Sequence, residues 1–504
     1  MSDQSRALPG RPSLRYLKLE AKRRLSAGEF ATLHQAQLAV AREHGLSSWA
    51  ALKEHIEAAG PASHALTQVR WVMSRFAGAG TPQWSAPDEE ELRGHFHDDQ
   101  LSQLPPDTWT GVLSSVAEHL RKDDLADVRA EPLHLRARIG DLRVEAATEA
   151  DPPYRLRKLL LYPVETKVND PRVAAPPAGS SGAVPAAAAA VAADSFAELG
   201  LVGLVVAGAT GAGPVWVTAR GWASLDQGDV LLPEHRFPAY AVTKLVTATA
   251  VLRLVADGRV RLDEPANAYL RTIRLADDAV TVRELLSHTG GVDSPASMFA
   301  DRVPDLVAVT GPVAACGGPR GTFAYGNGGY ALLGQLIADV TGSDYQDAAT
   351  RMVLEPLGMG GSGFPRDYPA TGVVTGHRRT DQGMFEPVPG QVSTMPAAGG
   401  LWTTAADLVR FGLAWSSLLP DPLAAEALRP QAERDAFGGQ VGLGWMLMLP
   451  KDVAGHPGAG PGFSASLIIR PGLAGPGGGQ TWVVLTNRQV LVEAVNERLA
   501  GPIA

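Results

Sequence analysis

Cysteine is nearly absent. Cys316 is the single one in 504 residues, so an intrachain disulfide is excluded. It is expected to pack as a small apolar residue. Long apolar runs are missing too: none reaches the roughly 18 unbroken residues that a membrane-spanning helix requires. The first residues, MSDQSRALPGRPSLRYLK, lack the apolar core of a secretory leader, so a cytoplasmic protein is expected. Positive charge is not in excess. Lys and Arg number 45 against 53 Asp and Glu, a net charge of −8. This speaks against nucleic acid or an anionic membrane as a general partner. What is present is an ordinary globular composition, 45% hydrophobic and 19% charged.

The length implies two or three domains. Residues 1–60 read as a small helical unit. Leu14, Leu17, Ala21 and Leu25 recur at helical spacing, a second helix carries Leu33, Ala36, Val40 and Ala41, and a third carries Trp49, Leu52 and Ile56. Its basic residues, among them Arg15, Lys18, Lys22, Arg23 and Arg24, are expected to form a solvated face. Residues 65–165 read as an α+β domain. HALTQVRWVMSRF and DTWTGVLSSVAEHL have helical patterns. LHLRARI and LRVEAAT read as strands joined by Gly140-Asp141, a hairpin signal, and RLRKLLLYPVE adds a third. Within this region His95, His97, Asp98 and Asp99 cluster in HFHDD. Only the two histidines have a converging spacing, and only on a strand, so a polar loop is expected there and no metal site. Residues 166–192, rich in Pro, Ala, Gly and Ser, read as a linker.

The rest of the chain, 193–504, is organised around Phe237–Gly258, FPAYAVTKLVTATAVLRLVADG. It is apolar almost all round, the pattern of a buried helix, with Gly258 as its stop. Ala241 and Lys244 sit three apart and share a face at its N-terminus. Burial there pushes a lysine toward its neutral form. The alternative is an ordinary core helix with one snorkelling lysine. Further on, Tyr325-Gly326-Asn327 lies within GTFAYGNGGY and precedes a helical pattern, YALLGQLIADVTG. His456-Pro457-Gly458 opens GHPGAGPGF, and Gly458 allows a close backbone approach. The glycine-rich PGLAGPGGG at 471–479 leads into a strand and reads as a hairpin loop, not a phosphate loop.

These motifs, in this order, resemble the serine β-lactamase and penicillin-binding-protein superfamily, in particular class C β-lactamases, family VIII esterases and D-aminopeptidases. The resemblance covers about 300 residues. It implies an antiparallel sheet flanked by helices. Weaker, pattern-only similarity makes 65–165 resemble an NTF2-like domain. The expected architecture is therefore α/β and α+β multidomain: a helical N-terminal unit, an NTF2-like α+β domain, a linker, and a β-lactamase-like domain.

By resemblance the helix should open Ser-x-x-Lys, with the serine acylated. Here Ala241 occupies the nucleophile position. The resemblance implies Lys244 and Tyr325 as proton carriers, and Asn327, His456 and Gly458 as substrate contacts. The N–H groups of Ala241 and Ala459 would form an oxyanion hole. It implies a small ester, amide or peptide substrate and neither metal nor organic cofactor, and it leaves an oligomer open. Thr243 cannot stand in for serine, because it faces another side of the helix. Three readings follow for the alanine. It is an engineered Ser-to-Ala change in a hydrolase or acyltransferase. Or the chain is a natural pseudoenzyme that binds an acyl-like ligand. Or it is a cyclase, lyase or isomerase using Tyr325 and Lys244 as acid and base.

Overall fold

A computed structural model describes residues 21–500 apart from 26–28, 31, 44–47, 50–62, 80, 82, 104–105, 118–119, 121–124, 131, 140–141, 164–167, 212, 293–297, 314–318, 435–438, 449–451 and 472–478. Leu14, Leu17, Leu52, Ile56, the Gly140-Asp141 turn, Cys316 and nearly all of the 471–479 loop lie outside the described residues. The chain divides into two units, Met1–Val164 and Glu165–Ala504.

In the first unit, α1 (Leu33–Glu43) buries Ala36, Val40 and Ala41, which pack with Ala21. Helix α2 (His64–Phe76) starts where Ser63 accepts a hydrogen bond from the Leu66 N–H, a side-chain cap on an otherwise orphan donor. Three shorter helices follow: α3 (Glu89–His95), α4 (Asp98–Gln103) and α5 (Pro106–Ser115). Then come β1 (Leu125–Ala130), β2 (His134–Ile139), β3 (Leu142–Thr148) and β4 (Leu156–Pro163). They form a four-stranded antiparallel meander in sequence order. The sequence reading found three of these strands and missed β1. The unit's core joins Val69, Val72 and Phe76 of α2 to Leu135, Ile139 and Val144 of the sheet.

The HFHDD cluster is a loop only at Phe96 and His97, which join the end of α3 at His95 to the start of α4 at Asp98. The His95 ring stacks on Trp71 at 3.6 Å and its Nδ1 lies 2.7 Å from Gln68 Oε1. The His97 Nε2 lies 3.6 Å from Glu149 Oε2. The two histidines turn to different partners.

The second unit corrects the expected linker. Residues Ala178–Ser181 form β5, and Ala186–Glu198 form α6. An alanine run is a strong helix former, and Pro185 just before it suits a helix start. An edge strand asks only for backbone, so small polar residues suffice. β6 (Gly203–Thr210) and β7 (Trp216–Ser224) follow. One 3-10 turn, Tyr240–Val242, leads into α7 (Thr243–Ala256). Later come α8 (Gly328–Thr341) and α9 (Ala405–Ala414). The strands β8 (Ala432–Glu433), β9 (Gly439–Val441), β10 (Met446–Met448), β11 (Val453–Gly460), β12 (Phe463–Arg470) and β13 (Gln480–Thr486) precede a final helix, α10 (Glu493–Ala500).

These strands form one antiparallel sheet in the order β8-β9-β10-β11-β12-β13-β6-β7-β5, with a two-residue strand, Asp229–Val230, also on β7. The chain's late strand β13 pairs with the early β6, Val484 opposite Val206, so both ends of the domain meet mid-sheet. Helix α7 lies in the main core: Leu245, Ala250, Val251 and Leu254 are all buried. It ends as expected, with Gly258 at φ +70 in the left-handed region. Among the described residues no helix is long and apolar enough to cross a membrane.

Leu245→Ala should destabilise the second unit by about 2–5 kcal/mol, since a fully buried side chain would leave a cavity. Urea unfolding followed by tryptophan fluorescence checks this. An unmoved midpoint would contradict the central placing of α7.

Candidate active site

At the N-terminus of α7 the backbone is strained. Tyr240 is held at φ +44, a conformation that a bulky residue rarely adopts. Its ring is fixed against Phe299 and Phe463, with centroids 5.5 and 6.3 Å away. This bend presents Ala241 to a cleft of about 410 Å³. Among the described residues, the Ala241 N–H donates to no acceptor. Thr243, as expected, points elsewhere: it is fully buried and its Oγ1 accepts from the Leu401 N–H at 3.1 Å.

Lys244 is fully buried beneath the cleft. Its Nζ donates to Asn327 Oδ1 at 2.7 Å and to the Ala398 carbonyl at 3.1 Å. It lies 4.9 Å from the centre of the Tyr325 ring and 5.5 Å from that of Tyr330, within cation–π range. Desolvation outweighs these contacts and pushes Lys244 down to about 7. Asn327 sits immediately before α8. Since Nζ donates to its oxygen, its amide nitrogen faces the other way and donates to Met298 Sδ at 3.0 Å.

Tyr325 lines the same cleft and is 44% exposed, yet the protein packed around its phenol pushes it above its usual value. His456 is buried, its ring centre 6.0 Å from that of Tyr325. Its Nδ1 lies 2.6 Å from the Pro457 carbonyl, which can only accept. The proton therefore belongs on Nδ1, leaving Nε2 as an acceptor. Burial first, and then the Lys244 charge, push His456 down to about 3. It is neutral across the physiological range.

Strand β11 closes the cleft. β10 pairs with it only as far as Gly455. Beyond that point its edge is left for the turn at 240–242. A Cβ on Gly458 would lie 2.2 Å from the Ala239 carbonyl oxygen and 3.1 Å from the Ala241 nitrogen. A Cβ on Gly460 would sit 2.5 Å from the Tyr240 ring. Only glycine permits this approach. Ala459, between them, is exposed to the cleft. The structure thus gathers every expected site residue. Ala241, Tyr325, Asn327, His456, Gly458 and Ala459 line one cleft, and Lys244 lies under it.

Sequence reasoning gave His288 no role. Its backbone is in the left-handed region, at φ +57. Its Nδ1 accepts the Gly326 N–H at 3.3 Å, and its ring packs on Tyr325 and Tyr330 at 4.6 and 5.1 Å. It positions the Tyr325–Asn327 loop. The signal available was a histidine followed by Thr289-Gly290-Gly291 just after a helical pattern.

Fold and site together define the β-lactamase and penicillin-binding-protein architecture. Sequence comparison agrees: residues 187–501 match the Beta-lactamase family, and the chain belongs to it. It is similar to penicillin-binding protein 4 of Amycolatopsis lactamdurans, 31% identical over 198 residues, which are 36% of this chain and 51% of that one. The chain thus spans about half of that relative's length. It is also similar to esterase EstB of Burkholderia gladioli, 29% identical over 322 residues, 55% of this chain and 78% of that one. The structure of SurE with D-Leu is similar at a TM-score of 0.51 and 29% identity, over 63% of this chain and 76% of that one.

The Lys244 ionisation sets a pH dependence. The folded value of about 7 is below the unfolded value of 10.5. Between them the unfolded chain binds more protons, so stability rises with pH over that window. Below about 7 the burial cost is present in full. Against Lys244→Met, stability should rise by at most about 1.4 kcal/mol per pH unit between pH 7 and 10. Urea unfolding at pH 6, 7.5 and 9 measures it. Parallel curves for the two proteins would contradict the depressed value.

Proposed function

We propose that the second unit carries the acyl-transfer site of a serine hydrolase or acyltransferase, in a Ser-to-Ala form. Its ligand is a small ester, amide or peptide, which this chain holds without forming an acyl-enzyme. One observation carries the reading: Lys244, bound to Asn327, lies under a cleft whose strained turn presents an unbonded Ala241 N–H. The similar proteins named above as an esterase, a penicillin-binding protein and a D-Leu complex support a small acyl or amino-acid-derived ligand.

The chemistry follows from the geometry. A serine at 241 would carry its hydroxyl on the face of α7 that Lys244 shares. A lysine titrating near 7 accepts a hydroxyl proton at neutral pH, and the oxygen attacks the ligand's carbonyl carbon. The oxyanion that forms takes the N–H groups of Ala241 and Ala459. Tyr325 then relays the proton to the leaving group, and water or another acceptor takes the acyl group. With alanine, the carbonyl still finds the oxyanion donors but no nucleophile. Loss of the nucleophile in another serine hydrolase costs roughly a million-fold in turnover.

A second reading has one observation in its favour: with alanine at 241, Lys244 is still a base poised near neutral pH. It makes Lys244 and Tyr325 the acid and base of a cyclisation, elimination or isomerisation. A single comparison separates the two. This chain and its Ala241→Ser form are given a chromogenic short-chain ester and a serine-reactive phosphonate, the latter read by intact mass. The acyl-transfer reading predicts that only the serine form is labelled, and that its ester turnover rises by about a thousand-fold or more. Two folded proteins that both stay unlabelled would sink that reading and favour acid–base chemistry.

A further inference from the structure

Met298 is the one exposed methionine among the described residues, at 38%, whereas Met359 and Met395 are buried. Its backbone is anchored. The Met298 carbonyl accepts the Thr394 N–H at 3.0 Å, and the next two residues, Phe299–Ala300, pair with Val392–Ser393. The side chain therefore reaches the cleft from a fixed base, on a wall it shares with Tyr325 and Asn327. There its sulfur meets the Asn327 amide, which donates to Sδ at 3.0 Å.

A thioether is a weak acceptor, so a ligand carbonyl can displace it from Asn327. A sulfoxide is polar, and its oxygen would hold the same N–H far more firmly. The other end of the amide is already taken, because Asn327 Oδ1 accepts from Lys244 at 2.7 Å. The amide cannot turn away without costing the buried lysine an acceptor. Stereochemistry is fixed by the same contact. A thioether sulfur has two lone pairs, and oxygen on one or the other gives two different epimers. The Asn327 N–H covers one of them, so an oxidant arriving from solvent reaches the other.

We propose that Met298 is a peroxide-oxidation site that closes the cleft: its sulfoxide, formed as one epimer, swings its oxygen onto the Asn327 amide and denies that donor to a ligand. In the step, the uncovered sulfur lone pair attacks one oxygen of hydrogen peroxide and the O–O bond breaks. The transferred oxygen gives its proton to the departing hydroxide, which leaves as water. Sulfur is oxidised and the peroxide is reduced. A stereospecific reductase returns the thioether, so the closure is reversible. Oxidation and the capture of Asn327 stand apart from the acyl-site reading, and only the loss of turnover rests on it.

Hydrogen peroxide on this chain and on Met298→Leu tests it, read by peptide mass and by the Asn327 side-chain amide signal of asparagine-labelled protein. Met298 should oxidise at least about ten-fold faster than Met359 and Met395. The Asn327 signal should move in step with it, and stay in place in Met298→Leu. One of the two stereospecific methionine sulfoxide reductases should restore the signal at least about ten-fold faster than the other. In the Ala241→Ser form, ester turnover should fall by about ten-fold or more over the same time course, and adding Met298→Leu should prevent that fall. Met298 oxidising no faster than the buried methionines overturns the proposal. So does a sulfoxide that leaves the Asn327 signal unmoved, or one that both reductases restore at equal rates. Turnover that survives full oxidation of Met298 overturns the closure. A serine form inactive before peroxide overturns the acyl-site reading alone, and the Asn327 signal still decides this proposal.

Discussion

The buried ammonium of Lys244 is the constraint on which the rest of the site depends. A charge with no exposed surface must find oxygens or lose its proton. Here it does part of each. Asn327 Oδ1 and the Ala398 carbonyl accept from it, and desolvation still pushes it down to about 7. Those two acceptors tie α7 to the residue ahead of α8 and to the short helix Pro396–Gly399. Thr247, one turn further along α7, repeats the tie: its hydroxyl donates to the Ala397 carbonyl at 2.6 Å. The lysine is thus both the chemical centre and a structural pin.

The second constraint is steric. Strand β11 reaches the turn at 240–242 only because residues 458 and 460 lack side chains. The same approach brings Ala459 and Ala241 to one cleft, where an oxyanion would sit. Position 241 itself contributes backbone and shape. Alanine there offers no hydroxyl, while the N–H, the lysine, the tyrosine and the neutral histidine stand around it. In the proposed acyl-transfer reading, such a site keeps its electrostatic features without a nucleophile, so binding and turnover would separate.

Much of this was legible in the sequence, and the reasons differ by element. Helix α7 announced itself by an almost wholly apolar run, and Gly258 by its place at the end. The three motifs were short, yet their order specified which residues would meet. What stayed hidden had no local signature. The stretch at 178–192 looked like a linker because its strand is a polar sheet edge and its helix is nearly all alanine. Strand β1, with Leu125, Val128 and Arg129, carries little alternation. His288 acts through a left-handed backbone and a contact to Gly326; the Thr289-Gly290-Gly291 that follows it marks a turn but does not name that distant partner. The apolar cleft wall draws on residues nearly 200 positions apart, from Met298 to Leu491, so only the fold assembles it.

The central claim is that Lys244 titrates near neutrality because the fold buries it. The direct measurement is a heteronuclear NMR titration of lysine-labelled protein, with the Lys244 side-chain signal assigned by its loss in Lys244→Met. The account predicts a midpoint near 7 for Lys244. A Lys244 midpoint near 10.5 would show an ordinary solvated ammonium, and the description of the site would fail with it.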